Sequence, residues 1–410
     1  MTLGTIIGEG IFILDGPEWK HSRDMLRPNF ERAQIDDTDL FENHAQDLVN
    51  AIPKNGEPVA LKPLLFSASL DVATEFLFDH STNCLDPSKR KAGDDLDVDG
   101  FIKTFNQLQQ IFDGSADSNF GFFGLIVKIF LPDYNRKKNV KILHQFVDTI
   151  VAQAKAKQEK EKPAQPKNGD EKHRYVFLHE LLASTSNPTK IRSELLNILL
   201  AGRDSTASLL SNIFFTLSHN PSIFAKLEHE ILTSLPSESN PSFAQLKSLP
   251  YLHALINESL RLYPIVPENN RTAIRDTSIP LGGGPDGKSP VFVRKGTMVH
   301  WSSWGMHRRP DLYGDDAEEF RPERWLDSDG PDGKKGLRVS WEYLPFNGGP
   351  RICIGQQFAL MEVSYLIVKL VRAFEGVEPC NKDSTWRENV SIIVAVDSDV
   401  NVVLKPRKKV

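Results

Sequence analysis

Cys353 is the residue of this chain whose setting most clearly predicts chemistry. It lies within residues 346–355, which read FNGGPRICIG, and a segment with apolar residues at helical spacing follows directly. A thiol at the start of a helix experiences the positive end of the backbone dipole, which favours its thiolate form. Gly349 and Gly355 carry no side chains, so they let the backbone come close to something flat and large. These features predict a reactive thiolate beside a planar partner.

Two neighbours complete the setting of the sulfur. Phe346 can shield it from water, and Arg351 supplies a fixed positive charge for a nearby anion. A lone cysteine is usually a small buried hydrophobe, but a cysteine thiolate is also the axial ligand that favours O–O cleavage at haem iron. The loop matches, position for position, the signature Phe-x-x-Gly-x-Arg-x-Cys-x-Gly, and in this the chain resembles the cytochrome P450 family. The resemblance implies that Cys353 ligates the iron of haem b.

Asp204, Ser205 and Thr206 form a second group, suited to proton transfer. They end the hexapeptide 201–206 (AGRDST), which lies within a long apolar segment predicted to be helical. An acid beside hydroxyls is unfavourable in mid-helix, and Gly202 adds about 1 kcal/mol of helix cost relative to alanine. Residues that disfavour a helix within a strongly helical segment indicate a functional site. The alternative is a polar patch that faces solvent.

The resemblance extends to this helix. In cytochromes P450 a Gly-x-acid-Thr motif distorts the helix over the haem, and the acid and the alcohol relay protons to dioxygen. This implies that Asp204 is the acid, but the usual threonine position holds Ser205, with Thr206 one residue later. Serine keeps the hydroxyl and loses the methyl group that restricts its rotamer. Proton delivery is therefore expected to differ from the family pattern.

Glu258 and Arg261 are spaced for an ion pair on one face of a helix, which Pro264 would end. Taken alone, this spacing is typical of a surface ion pair. In the family such a pair is completed by the arginine of a Pro-Glu-Arg segment, which implies Arg324 here. A buried set of these three side chains is weak evidence for stability, so its expected role is to fix the loop that holds the cofactor.

Trp19 and Arg23 share a helix face by their spacing of four residues. Their ordinary interpretation is a packed tryptophan beside a solvated arginine. The resemblance implies instead that they bind a haem propionate, together with Arg271 and Arg351. A buried porphyrin dianion needs such donors.

Composition excludes several other classes of protein. The 410 residues carry a formal net charge of -5, which argues against a strongly basic nucleic-acid binder. The three cysteines are odd in number and far apart, so neither a disulfide framework nor a structural zinc site is expected, and a reducing compartment is the simplest interpretation. No apolar run approaches the length of a membrane span.

The first two-thirds of the chain show helical periodicity, and alternation typical of strands appears after Pro267. Residues 282–287 (GGGPDG) are expected to form a turn between two strands, and residues 308–350 an irregular segment. Residues 153–174 are rich in Lys, Glu and Gln and predict a helix end that runs into a charged surface loop. We therefore expect one domain, mainly α with a small β part, which is the fold that the resemblance implies.

Within the family the chain is most similar to fungal n-alkane and fatty-acid terminal hydroxylases. Residues 15–23, 201–206, 282–287 and 346–357 carry this closer match. It implies insertion of one oxygen atom from O2 into a lipophilic substrate, with electrons from NADPH through a cytochrome P450 reductase. The expected apolar walls of the pocket are Leu196, Ile198, Leu199, Ile265, Val266 and residues 392–394.

Family members normally carry a membrane anchor and an early sheet before the helix of Trp19, whereas Met1 falls just before that helix. The expectation is an endoplasmic-reticulum membrane protein for the full-length family and a soluble chain, truncated at the N-terminus, for this sequence. The alternatives are a haem-binding remnant without turnover, a monooxygenase of another lipophilic substrate, and an isomerase or dehydratase. Asp204 and Ser205 argue against the last.

Overall fold

The computed structural model describes residues 3–31, 38–90, 96–110, 134–160, 177–236, 239–327, 335–390 and 393–407. The helices within these ranges are α1 (Leu3–Ile7), α2 (Gly16–Leu26), α3 (Asp39–Ala51), α4 (Leu61–Phe78), α5 (Val98–Gln110), α6 (Tyr134–Lys160), α7 (Phe177–Ser184), α8 (Pro188–His219), α9 (Pro221–Ser234), α10 (Phe243–Lys247), α11 (Pro250–Leu262), α12 (Ser303–Met306), α13 (Pro310–Tyr313) and α14 (Gln356–Ala373). Short 3₁₀ turns occupy Arg27–Phe30, Pro87–Lys89, Pro322–Trp325 and Gly349–Arg351.

The strands are short and antiparallel. They are β1 (Val59–Ala60), β2 (Glu268–Thr272), β3 (Thr277–Gly283), β4 (Ser289–Val293), β5 (Met298–Ser302), β6 (Phe374–Pro379), β7 (Glu388–Val390), β8 (Val394–Val396) and β9 (Asn401–Pro406). Strand β9 lies between β1 and β6, whereas β2 pairs with β5, β3 with β4 and β7 with β8. Val59 lies opposite Val402, and Arg271 lies opposite Val299.

Helix α8 is the centre of the molecule. Its 32 residues begin after Asn187, whose Oδ1 accepts hydrogen bonds from the N–H groups of Thr189 and Lys190 at 3.1 and 3.3 Å. Pro188 follows at the first helical position, where its missing N–H has no intrahelical partner to lose. The helix packs against α4, α6, α11, α14 and the strands β6 and β8, and most of its side chains are buried. Such an all-round buried helix is a rigid support for side chains in mid-helix.

The segment between α1 and α2 is tied to α8 by buried polar groups. Asn197 Oδ1 accepts from the Phe12 N–H at 3.0 Å, and its Nδ2 donates to the Ile7 carbonyl at 3.1 Å. A Cβ added at Gly10 would lie 2.5 Å from the Asn197 side chain, so only glycine fits this close approach. The N-terminal segment is therefore held against the helix that carries residues 201–206.

The expected division of the chain into a helical part and a later β part is largely confirmed. Turn 282–287 joins β3 to β4, with the Gly282 N–H donating to the Gly287 carbonyl at 2.7 Å. Residues 153–160, where the sequence predicts a helix end that runs into a charged loop, continue α6, because exposed Lys, Gln and Glu are good helix formers. The remainder of that loop lies outside the described residues. Within these residues, no helix combines the length and apolar character needed to cross a bilayer.

Candidate active site

The loop before α14 has a compact backbone that presents the Cys353 side chain. A 3₁₀ turn spans Gly349–Arg351, and Gly349 has φ +67°, a conformation that side chains with a Cβ rarely adopt. The Cys353 N–H donates to the Phe346 carbonyl at 2.9 Å, which closes the loop, and α14 begins at Gln356. Cys353 thus lies just before a helix start, as the sequence predicts.

The thiol of Cys353 departs from one expectation. Although its side chain retains solvent-accessible surface, the protein atoms packed around it desolvate the sulfur and raise its pKa. A hydrogen bond from the Gly355 backbone and the charge of Arg23 act in the opposite direction. The local effect that the sequence predicts is present, because the Gly355 N–H favours the thiolate, but desolvation outweighs it and the arginine.

The arginines expected to hold an anion converge beside this loop. Arg23 Nη1 donates to the carbonyl of Ile352 at 3.0 Å, so α2 is joined to the residue before the cysteine. The guanidinium carbon of Arg351 lies 4.2 Å from the ring centroid of Trp19, and that of Arg23 lies 5.9 Å from it. Arg351 Nη2 also donates to Asp15 Oδ1 at 2.7 Å. The structure therefore brings three of the four proposed propionate-binding residues into one cluster.

Arg271 completes the positive charge from the strand β2. Its guanidinium carbon lies 5.2 Å from the ring centroid of Trp301, beside an open cleft of about 380 Å³ that Leu344 and Asn347 also line. Burial lowers the pKa of Arg351, and the charges of Arg271 and Arg23 lower it further, whereas Asp15 raises it. Arginines that repel one another in this way fit a site for a dianion, because its charge would offset their repulsion.

Helix α8 changes character at residues 201–206. Ala201, Gly202 and Ser205 are half-buried, although almost all neighbouring residues of the helix are fully buried. Ser205 Oγ donates to the Ala201 carbonyl at 2.6 Å, and a Cβ added at Gly202 would meet nothing within 4 Å. A side-chain bond to the carbonyl one turn earlier often bends a helix. One face of α8 therefore opens onto space at the motif.

The other polar residues of the motif point away from this open face. Asp204 and Thr206 are buried, at 8% and 2% exposure, and Thr206 Oγ1 has no hydrogen-bond partner among the described residues. Of the three leucine and isoleucine residues expected to wall a pocket here, only Ile198 shares the helix face of Ala201 and Ser205.

The other expected pocket walls have mixed outcomes. Leu196 and Leu199 belong to the protein core, and Val266 is 41% exposed. Ile265 is buried and Ile393 is partly buried against the core, whereas Ile392 lies outside the described residues.

Glu258, Arg261 and Arg324 meet in one buried network, as the sequence predicts. Arg261 Nε and Nη2 donate to the two carboxylate oxygens of Glu258, both at 2.8 Å, and Arg324 Nε approaches Oε1 at 3.3 Å. The side chains of Glu258 and Arg261 have no exposed surface, and that of Arg324 is 4% exposed. A bidentate pair with further donors satisfies the conditions under which buried charges persist.

The network has members that the sequence did not indicate. Trp325 Nε1 donates to Glu258 Oε2 at 2.9 Å, and Asp316 Oδ1 accepts from Arg324 Nη1 at 2.9 Å. Trp325 could have been suspected because it directly follows Arg324, but nothing local marks Asp316. Arg261 also donates to the carbonyls of His307, Ala317 and Glu319, at 2.9, 2.6 and 3.1 Å. The irregular segment is thereby fixed to α11.

His307 links this network to the cysteine loop and was not singled out from the sequence. Its ring is fully buried, and Nε2 accepts a hydrogen bond from the Leu344 N–H at 2.9 Å. The proton of the neutral ring is therefore on Nδ1. Burial lowers the pKa of His307 to about 4, and the Arg261 charge contributes in the same direction. Leu344 lies two residues before Phe346, so a neutral His307 supports the entry to the loop.

We expect the stability of the protein to fall as the pH drops from about 6.5 to about 4, partly through His307. In this window the unfolded chain binds a proton at His307 and the folded protein does not, so acid favours unfolding. The difference between the two pKa values corresponds to about 3 kcal/mol. His307→Gln can keep an acceptor for Leu344 and cannot titrate, so its denaturant midpoint should vary less between about pH 7 and pH 4.5. Equal pH dependence in both proteins would contradict this assignment.

Comparison with known proteins gives consistent matches. A family profile described as Cytochrome P450 matches residues 2–399. The chain is 42% identical over 408 residues to cytochrome P450 monooxygenase g430 of a Fusarium species, over 96% of this chain and 68% of that protein. It is 42% identical over 411 residues to cytochrome P450 52A3-B of Candida maltosa, with coverages of 98% and 75%. Identity to cytochrome P450 monooxygenase himC of Aspergillus japonicus is 40% over 405 residues, with coverages of 98% and 69%.

Proposed function

The chain belongs to the cytochrome P450 family and is a monooxygenase, and from this premise we propose that it hydroxylates long-chain fatty acids or n-alkanes at or near the terminal carbon. The reaction converts substrate, O2, NADPH and one proton to the alcohol, water and NADP⁺, so one oxygen atom enters the C–H bond and the other leaves as water. A cytochrome P450 reductase, at the endoplasmic-reticulum membrane in the full-length family, would deliver the two electrons.

The observation that carries the reaction type is the combination of the Cys353 loop with the arginine cluster beside it. The positive charges of Arg23, Arg271 and Arg351 oppose one another, and the Cys353 thiol is desolvated. Bound haem would offset both effects: its negative charge would offset the repulsion among the arginines, and its ferric iron would stabilise the desolvated Cys353 sulfur as a thiolate. A haem with a thiolate ligand supplies dioxygen activation when it is bound.

Each proposed binding residue has a definite task in this arrangement. Cys353 would ligate the iron, and Trp19 would join the three arginines at the propionates. The backbone at Gly349 and Gly355 would allow close approach of the flat ring. A Cβ added at Gly349 would meet nothing within 4 Å, and one added at Gly355 would lie 3.7 Å from Phe30. Phe346, whose carbonyl accepts from the Cys353 N–H, would shield the sulfur.

Asp204 and Ser205 are proposed to deliver the protons that this reaction consumes. Ser205 Oγ donates to the Ala201 carbonyl on the open face of α8. To pass a proton toward dioxygen, it must release this carbonyl and then recover a proton from the adjacent acid. Asp204 is buried beside it and can supply that proton. Thr206 carries a hydroxyl as well, but its location on the buried side of the helix favours Ser205.

Ser205→Ala is expected to lower product formed per NADPH by up to about 10²-fold, because the relay loses its hydroxyl. Peroxide release per NADPH should rise, whereas substrate affinity should stay nearly unchanged. Ser211→Ala is the matched control, because Ser211 Oγ makes the same type of bond to the Ala207 carbonyl, at 2.6 Å, in the buried part of α8. An unchanged product yield in Ser205→Ala would transfer the relay to Thr206 or to water.

The substrate class rests on similarity within the family and on the apolar character of Ile198 beside the open helix face. Burial of each methylene stabilises a bound chain by about 0.8 kcal/mol, or about fourfold in affinity. The Kd values of C10 to C18 fatty acids and n-alkanes should therefore fall with length until the pocket is filled. Product analysis with the loaded protein, reductase and NADPH should then show oxidation at or near the terminal carbon.

A monooxygenase of a different lipophilic substrate is the second candidate. It is favoured by the equal identity, 42%, to the relatives g430 and 52A3-B, since only the second name carries the designation 52A. Affinity that ignores chain length, or a preference for a compact polycyclic ligand such as a sterol, would support this candidate over the first. Stable haem binding without NADPH-dependent product from any ligand would indicate a remnant without turnover.

A further inference from the structure

Arg203 is a buried cation within the α8 motif that the relay described above does not use. It is 6% exposed, and its guanidinium carbon lies 5.3 Å from the ring centroids of both Phe66 on α4 and Phe105 on α5. Its Nη1 lies 3.4 Å from Asp204 Oδ1. An arginine between two aromatic faces is held in place by cation–π attraction and cannot easily follow a moving partner.

The helix geometry places Asp204 between this cation and the open face. Successive residues turn by about 100° around an α-helix, so Ala201 and Ser205 share one side and Arg203 lies on the opposite side. This agrees with the burial of the three residues, because Ala201 and Ser205 are half-buried and Arg203 is buried among aromatic rings. Around the helix, Asp204 therefore lies between Arg203, whose guanidinium it contacts, and Ser205 on the open side.

Among the described residues, Asp204 is an acidic partner of Arg203, and the Cys84 thiol is another titratable group near the guanidinium. The Cys84 thiol faces the guanidinium, but burial and the charge of Asp71 raise its pKa to about 12, so it is neutral at physiological pH. Asp71 is engaged elsewhere, since its Oδ1 accepts from Thr82 Oγ1 and from the Cys84 N–H, both at 2.7 Å. A guanidinium that is buried away from water favours the ionised form of a carboxylate that it contacts, because their opposite charges attract.

We propose that Arg203 is a positioning residue that keeps Asp204 ionised and oriented toward Ser205 between turnovers. The inference rests on the proposed relay. In each proton transfer, Ser205 gives its hydroxyl proton to dioxygen as it is reduced. The ionised Asp204 accepts a proton from a hydronium ion of the solvent and passes it to the Ser205 oxygen, so both side chains return to their starting state. Arg203 sets how readily Asp204 releases a proton, without touching substrate or the reacting atoms.

The test compares Arg203→Met, Arg203→Lys, Asp204→Asn and the double variant Arg203→Met/Asp204→Asn, with dodecanoic acid as the probe substrate. Arg203→Met is expected to lower product per NADPH about tenfold near neutral pH and to move its pH dependence upward, because removal of the cation takes away the charge that favours the Asp204 carboxylate. Arg203→Lys should restore most of the yield. In the Asp204→Asn background, Arg203→Met should cause no further loss.

A second readout does not depend on activity. The denaturant midpoints of the four proteins of the cycle, wild type included, should be strongly non-additive, because either single change leaves a buried charge or dipole without its partner. Arg192→Met is the matched control, since Arg192 is an arginine of the same helix that pairs with Asp148 at 2.5 Å, far from the motif. It should leave the yield and its pH dependence unchanged.

Four outcomes would overturn the inference. Additive losses of product in the double variant would show that Arg203 acts independently of Asp204. Additive denaturant midpoints, or an unchanged pH dependence in Arg203→Met, would reduce Arg203 to a packing residue. If Asp204→Asn alone left the product yield intact, the relay itself would be refuted and the inference with it, so the two failures are distinguishable.

Discussion

Replacing Cys353 with alanine is expected to abolish the thiolate-type Soret band of the reduced, carbon-monoxide-bound protein. The expectation follows from the loop: the Cys353 N–H closes the turn on the Phe346 carbonyl, and the sulfur precedes α14 by three residues. No neighbouring cysteine can replace it. Cys84 is partly buried and hydrogen-bonded to Thr82, and its pKa of about 12 keeps it a thiol. Loss of the ligand should therefore be complete and should also lower haem content.

Cys380 provides the matched control for this experiment. Like Cys353 it is an exposed free cysteine, but its N–H donates to the Asn401 carbonyl at the end of β6, away from the arginine cluster. Cys380→Ala should keep both the haem content and the thiolate-type band of the wild type. Far-UV circular dichroism would verify that both variants are folded. An unchanged band in Cys353→Ala would refute the assignment of the iron ligand.

Arg261→Met is expected to destabilise the protein by about 3–5 kcal/mol, because it leaves the Glu258 carboxylate buried without its bidentate partner. The loss is larger than that of one ion pair. Arg261 also donates to three backbone carbonyls of the irregular segment, including that of His307, and these would become unsatisfied. Since the His307 ring supports Leu344, the disturbance should reach the cysteine loop, and haem content should fall together with the denaturant midpoint.

The chain offers a matched surface pair for comparison. Arg309 and Asp311 also form an arginine–carboxylate pair, at 2.5 Å, but their side chains are 57% and 61% exposed. Such an exposed pair contributes little, so Arg309→Met should change the free energy of unfolding by less than about 1 kcal/mol. If Arg261→Met behaved like Arg309→Met and kept full haem, the buried network would not scaffold the loop.

The features that could be predicted from the sequence are those written in short segments of chain. The Gly–Cys loop, the AGRDST interruption and the Glu258–Arg261 spacing are local patterns, and the structure places each where a helix or turn was expected. The sequence does not fix where within residues 153–174 the helix gives way to the loop, because exposed Lys and Glu are frequent both in loops and in solvated helices. Such composition does not distinguish the two.

The features that could not be predicted from the sequence depend on contacts between distant parts of the chain. Strand β1 has only two residues, and it becomes a strand because it pairs with β9 at the other end of the chain. Asp316 and His307 acquire their partners only when the irregular segment folds over α11. The direction of the Cys353 pKa escaped for a similar reason: the helix start is visible in the sequence, but the atoms that desolvate the sulfur come from elsewhere in the fold.

The contacts between α2 and the cysteine loop have a consequence for how the protein is made. Arg23 and Ile352 are separated by 329 positions, and Asp15 and Arg351 by 336. During translation, α2 emerges long before the loop that it binds, and the sheet of β1 and β9 closes only with the last strand. Contacts of such sequence separation form late and leave apolar surface exposed in the interval. The N-terminal segment therefore lacks these partners until residues 351–352 and β9 have been synthesised, and the cofactor site cannot be assembled before then.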